Sequence, residues 1–187
     1  MSSSLRTWGS RGLALVFAAA SVVSFSGASG RIQQFESDVA GSIARWLSGG
    51  QVRPIPLIGS MLILRRDGAL IADVTYWCSL STVLGVLFAA AAVMAAVRRV
   101  RVLRLAVGVT GALATVAIVN QIRLVLTVMS GYEWGRARME TVHDYVGTPL
   151  SMGAFGIAIL LLVGWTMSRS RAARAAAFRP TTSGGDS

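Results

Sequence analysis

The chain has no lysine, a single cysteine and a single histidine. One thiol excludes an internal disulfide, so an exported segment must be held by packing and by the membrane, and the thiol itself is either inert or reactive. No cluster of His, Cys, Asp and Glu has metal-ligand spacing, and no glycine-rich phosphate loop is present, which removes metal and nucleotide chemistry from consideration. No internal repeat accompanies the apolar segments, which weakens a transporter reading. Charge is also scarce: 14% of residues are charged and 53% are hydrophobic. With a mean hydropathy of +0.61, the chain carries more apolar side chains than one small water-soluble core can bury.

What is present fits a bilayer. Four apolar stretches, 12–28, 78–97, 105–129 and 148–167, each approach the roughly 20 residues that a helix needs to cross about 30 Å of hydrocarbon. The first is interrupted by serines. It also reads as a cleaved signal peptide, with Arg6 and Arg11 ahead of an apolar 13–25 and small residues over 26–30. Net charge is +10, all of the basic residues being arginine, and their placement follows the membrane rather than a nucleic-acid groove. Arg6, Arg11, Arg98, Arg99, Arg101, Arg104, Arg169, Arg171, Arg174 and Arg179 flank helix ends on one side. The positive-inside rule makes that side cytoplasmic and puts 29–77 and 130–147 outside, together with seven of the eight carboxylates.

Within the first outer segment, Ile32, Phe35, Val39, Ile43, Trp46 and Leu47 recur at helical spacing, and Gly49-Gly50 ends the pattern. This predicts an amphipathic helix on the outer leaflet. Two short apolar runs, 61–66 and 69–76, flank Asp67-Gly68, a pair suited to a type I′ hairpin turn. A hairpin edge can accept an extended peptide as a further strand, although most hairpins serve only as structure. The polar tail 179–187 reads as disordered. The expected architecture is therefore an all-α polytopic membrane protein: a single membrane domain over 1–178, with about four transmembrane helices, an outer amphipathic helix and a short β-hairpin.

Three side chains with chemical potential fall at one depth. Counted from the cytoplasmic arginines, Cys78 lies about 30 Å up the second span and Arg123 about 28 Å up the third, and His143 precedes the fourth. Cys78 opens a helix, where free backbone N–H groups and the positive dipole end favour thiolate; the alternative is a small apolar filler. Arg123 is flanked by Ile122, Leu124, Val125 and Leu126, a costly setting unless the guanidinium is paired, functional or able to reach water. Asn120 lies one turn below on the same face. His143 is the side chain suited to proton exchange near neutral pH, as cysteine-based acyl transfer requires; it could instead anchor a helix end. Asp144 could orient His143 only if the local backbone is irregular, since neighbours on an α-helix point about 100° apart. Glu133, Arg136, Arg138 and Glu140 lie in the second outer segment, read as a loop, and form a solvated charged surface. Gly108, Gly111, Ala112 and Ala114 read as close helix contacts.

These residues and their order resemble the exosortase/archaeosortase family: Cys78-Ser79 at a helix start, Asn120-Gln121-Ile122-Arg123 on the next helix, and His143-Asp144-Tyr145-Val146-Gly147 before the last. The resemblance covers about 58–162. It departs from the family pattern at Leu80, where glycine is common, and in having fewer helices than many members. It implies a membrane-embedded cysteine protease or transpeptidase in the plasma membrane, with its site facing outward and no cofactor or metal. The implied substrates are exported proteins ending in a sorting motif, a transmembrane helix and a basic tail. The implied acyl acceptor is a lipid, a glycan or water. Cys78 would be the nucleophile, His143 the proton carrier and Arg123 the oxyanion partner, supported by Asn120 and Asp144. The competing reading is a non-catalytic envelope scaffold in which Arg123 pairs with a partner helix.

Overall fold

The computed structural model describes residues 3–26, 29–56, 59–74, 79–97 and 102–177. Cys78, the end of the expected second strand (75–76) and the tail 179–187 lie outside the described residues. Among the described residues the helices are α1 Ser3–Ser26, α2 Ser29–Leu47, α3 Leu80–Val97, α4 Val102–Trp134, α5 Arg136–Thr141 and α6 Thr148–Ala177, with a π-helical turn, Val142–Gly147, between the last two. Three strands, β1 Val52–Ile55, β2 Ser60–Arg65 and β3 Gly68–Asp73, separate α2 from α3.

Most of the described residues are helical, as expected of its class. Two helical stretches, Val102–Trp134 and Arg136–Thr166, are long and apolar enough to cross a membrane, and α1 with α2 make a third if that bent pair is one broken span. The described apolar part of α3, Leu80–Ala96, is shorter than such a span. The structure thus carries two or three candidate spans where the sequence pattern leads to about four. The outer segment 130–147 is not a loop. Helix α4 runs on to Trp134 and breaks only at Gly135, whose φ of 86° ends an α-helix readily, and helical backbone resumes at Arg136.

Helices α1, α3, α4 and α6 share one core, built from Leu87, Ala91 and Ala95 of α3, Leu105, Val109, Ala112 and Val116 of α4, and Ala158 and Leu162 of α6. The serines that interrupt the first apolar stretch turn inward: Ser21 and Ser24 are buried, and Ser21 Oγ donates to the Gly85 carbonyl of α3 at 2.8 Å. Phe17 stacks on Phe88 across the same contact. Of the small residues expected to pack in α4, Gly108 and Ala112 do so, with Gly108 meeting the Leu162 backbone. Gly111 and Ala114 are exposed instead.

A second core joins the sheet to the outer end of α4 through Val52, Met61, Ile63, Leu124 and Val128, with Ala40 and Ala44 of α2 beneath. The sheet is antiparallel in the order β1-β2-β3, one strand more than the expected hairpin. β1 escapes a sequence reading because it is four residues long and contains Pro54. The tight loop is Arg66-Asp67 rather than Asp67-Gly68, closed by the pair Arg65↔Gly68, with Gly68 at φ 140°. Arg65 explains the shift. Its guanidinium grips both Asp67 oxygens (2.8 and 3.1 Å), holding that carboxyl below the usual range, and also donates to the Gly131 and Tyr132 carbonyls of α4.

Helix α2 forms as expected and stops at Gly49 and Gly50, both at positive φ. Its large apolar residues point away from the protein: Phe35 is 66% and Trp46 81% exposed. The inward face is Glu36, Ser37, Ala40, Gly41 and Ala44. Small side chains there let the helix lie against β1, where a Cβ on Gly41 would stand 3.0 Å from Pro54. Ala44 is fully buried, so Ala44→Leu should overpack the contact and lower stability by about 1–3 kcal/mol, measured by denaturant unfolding in micelles. An unchanged midpoint would mean that α2 does not pack there.

Candidate active site

Asn120 and Arg123 lie on α4 at i and i+3, which directs both to the same side of the helix. Each is 7% exposed. The cost of burying a polar amide and a guanidinium there has to be met by partners, and the two residues meet it differently.

Asn120 donates through Nδ2 to Glu36 Oε1. The same oxygen accepts the Leu80 backbone N–H at 2.9 Å, and Glu36 Oε2 accepts the Ser79 hydroxyl at 2.7 Å. One carboxyl group, 1% exposed, thereby ties α2, the first residues of α3 and the middle of α4 together. Capping the α3 N-terminus with a carboxyl oxygen is also favourable toward the helix dipole. Ser79 Oγ in turn accepts the Ser81 N–H at 3.2 Å, completing a local cap. Cys78 precedes this anchored pair by one peptide bond and lies outside the described residues.

Arg123 has no carboxylate within salt-bridge distance among the described residues, and its Nε has no acceptor. Its Nη2 lies 3.4 Å from His143 Nε2 and 3.5 Å from Nδ1. The near-equal distances show one guanidinium nitrogen shared between the two ring nitrogens, both at the long end of the hydrogen-bond range. A cavity of about 60 Å³ adjoins Arg123, Asn120, Ser79 and Ser151.

His143 opens toward Arg123 from a widened stretch of helix. Over Val142–Gly147 the backbone is π-helical, and the Thr148 N–H returns to the His143 carbonyl five residues back. Pro149, just beyond, offers no N–H to that turn, which favours the widening. The guanidinium then needs room on the facing helix, and Gly147 supplies it: a Cβ there would stand 2.8 Å from Arg123 Nε and 3.2 Å from its Cγ. The spacing His143-x-x-x-Gly147 thus has a physical reason: one residue contacts the guanidinium and the other makes space for it.

Asp144 follows His143 in the same irregular turn. Both line a cleft of about 410 Å³, together with Ile71, Ala72 and Asp73 of β3, Thr127 of α4, and Arg136, Met139 and Glu140 of α5. Within that wall Arg136 Nε pairs with Glu140 Oε1 at 2.8 Å.

Of the residues singled out from the sequence, the structure brings Asn120, Arg123 and His143 together and sets Asp144 beside them. Two further residues belong with them. Glu36 sits among the polar residues that a helical-wheel reading assigns to solvent; its signal is the alignment with Ala40 and Ala44, a stripe too small for a solvated face. Gly147 carries no property of its own in a sequence, and its role shows only against the Arg123 side chain.

Glu36→Ala should leave the Ser79 hydroxyl, the Leu80 N–H and the Asn120 amide without their acceptor, costing on the order of 1–3 kcal/mol for each group left unpaired. Glu36→Gln should lose much less, since its Oε1 still accepts two bonds and its amide can donate to Ser79 Oγ. Thermal unfolding in micelles separates the two; equal losses would show that shape rather than hydrogen bonding matters at this position.

No family model, curated protein or solved structure matches the chain, which leaves its chemistry to be read from its own residues.

Proposed function

We propose that the chain is a membrane-embedded cysteine protease or transpeptidase of the exosortase/archaeosortase kind, which cleaves C-terminal sorting signals of exported proteins at the outer membrane–water boundary. One observation carries this reading: Arg123 is 7% exposed, lacks a carboxylate partner among the described residues, and lies against the only histidine. A buried cation with no carboxylate in direct contact is expensive, and such a group suits a site where a negative charge develops in function. The only cysteine is bonded to Ser79, which shares the Glu36 anchor with Asn120, one turn from Arg123.

In this reading the Cys78 thiolate attacks the scissile carbonyl carbon, and the oxyanion that forms is met by the Arg123 guanidinium. The C–N bond breaks as protonated His143 gives its proton to the leaving amine, leaving a thioester. Neutral His143 then takes a proton from the acceptor, whose oxygen or nitrogen attacks the thioester carbonyl, and the thiolate leaves. The acceptor is a lipid, a glycan or water. No metal or cofactor enters the cycle. Glu36 and Asn120 position Arg123 and the start of α3, and Asp144 supports His143 from the cleft wall.

The arginine-rich segments support a multi-pass protein of the plasma membrane with this site facing outward. Substrates are exported proteins whose ends carry a short motif, a transmembrane helix and basic residues. The apolar face of α2, with Phe35 and Trp46 outward, fits contact with membrane lipids at the same level.

Cys78→Ala, Arg123→Ala and His143→Ala should each leave the protein inserted while exported proteins keep their C-terminal signals, read by mass spectrometry of the envelope fraction. Gly147→Ala should lower processing by displacing Arg123 without removing any reacting group. Normal processing in the Cys78→Ala strain would rule the proposal out and favour a non-catalytic scaffold.

A further inference from the structure

The free edge of β3 is set out by the register of the sheet. Arg65↔Gly68 closes a two-residue loop, so it is a hydrogen-bonded pair, and in an antiparallel ladder such pairs alternate with non-bonded ones. Met61↔Ala72 and Ile63↔Leu70 are then bonded pairs as well. The bond from the Val74 N–H to the Gly59 carbonyl, 3.0 Å, continues the same parity. The backbone groups of Leu70 and Ala72 therefore point into the sheet toward β2. Those of Ala69, Ile71 and Asp73 point out of it, and β2 is the only strand that pairs with β3 among the described residues.

Two of these outward residues, Ile71 and Asp73, line the 410 Å³ cleft whose other wall carries His143 and Asp144. That volume is within the roughly 300–1,000 Å³ of ligand clefts. Exposed strand edges are normally blunted by charge, proline or a covering element, yet β3 presents Ile71 at 60% exposure. The lining charges are also uneven, with Asp73, Glu140 and Asp144 against Arg136. A bound chain with basic or neutral side chains suits that balance, and an acidic one does not.

We infer that the β3 edge is the recognition site for the substrate backbone: an extended peptide adds as a fourth strand, exchanging hydrogen bonds with Ile71 and Asp73, and runs through the cleft past His143. The inference rests on the peptidase reading above and adds to it how the substrate is held. Strand addition draws affinity from main-chain bonds and leaves sequence preference to alternate side chains. It also delivers the peptide in the extended form that exposes a scissile carbonyl. Asp73 is five residues from Cys78 along the chain, so the recognising strand leads toward the proposed nucleophile.

The test uses the full-length protein in lipid nanodiscs. The probe is a synthetic peptide spanning the cut site of an exported protein that accumulates uncleaved in the Cys78→Ala strain. Replacing single backbone amides of the peptide by esters removes one N–H at a time. Strand addition predicts losses of roughly 2- to 10-fold in kcat/KM at every second position and little between them. Glutamate in the strand-forming segment should lower kcat/KM, whereas lysine should not. Ile71→Pro removes one outward N–H at a position where an edge strand tolerates proline, and should lower kcat/KM by a similar factor. Unfolding temperature and Cys78 alkylation rate should stay at wild-type values, which separates lost recognition from lost fold. A flat ester profile together with wild-type turnover by Ile71→Pro overturns the inference while leaving the peptidase reading in place. Identical envelope proteins in wild-type and Cys78→Ala strains defeat the peptidase reading itself, and the inference with it.

Discussion

The Glu36 carboxyl group is the interaction on which the rest of the site depends. Taking a carboxyl out of water costs several kcal/mol unless donors replace its hydration, and here three do: the Ser79 hydroxyl, the Leu80 N–H and the Asn120 amide. The donors come from the start of α3 and from α4, segments 43 to 84 residues from Glu36 along the chain. Helix α2 contributes the acceptor because its inward face is made of small residues, which let it approach closely enough for a side chain of modest length to reach across. With the anchor in place, the backbone after Cys78 and the Asn120 turn of α4 are held in relation to one another, and Arg123 follows from Asn120 by helix geometry alone.

Around that anchor the structure balances cost against room. Arg123 is buried without a carboxylate partner among the described residues, His143 lies against its guanidinium, and Gly147 leaves the volume the side chain needs. The π-helical turn carries both residues. Irregularity of this kind is common near functional positions. The sheet sits at this level because Arg65 ties its hairpin to the end of α4, and that attachment opens the cleft between β3 and α5.

Much of this was legible beforehand, residue by residue. Arginines at helix ends, the helical spacing from Ile32 to Leu47 with its glycine stop, the hairpin near Asp67, and the shared face of Asn120 and Arg123 all follow from periodicity and local backbone preference. Other features resisted reading. β1 is short and holds Pro54; the hairpin loop moved one residue because of a side-chain grip that no turn preference encodes. Segment 130–147 looked like a charged loop, but only Gly135 in it breaks a helix. The apolar face of α2 was legible, but the small-residue face through Glu36, Ala40 and Ala44 that packs on the protein was not, because small side chains carry little hydrophobic signal.

The sequence by itself determined most of the helical stretches, their apolar character, and the order of the single cysteine, the pair Asn120 and Arg123, and the single histidine. These depend on properties that act over one or two turns of chain. Tertiary structure alone decided that Glu36 is an anchor, that Gly147 makes space for Arg123, that His143 lies against the guanidinium, and that the open edge of β3 faces the same cleft. Those relations join residues far apart in the chain. The burial that gives a carboxyl, a glycine or a strand edge its role exists only once the segments have packed.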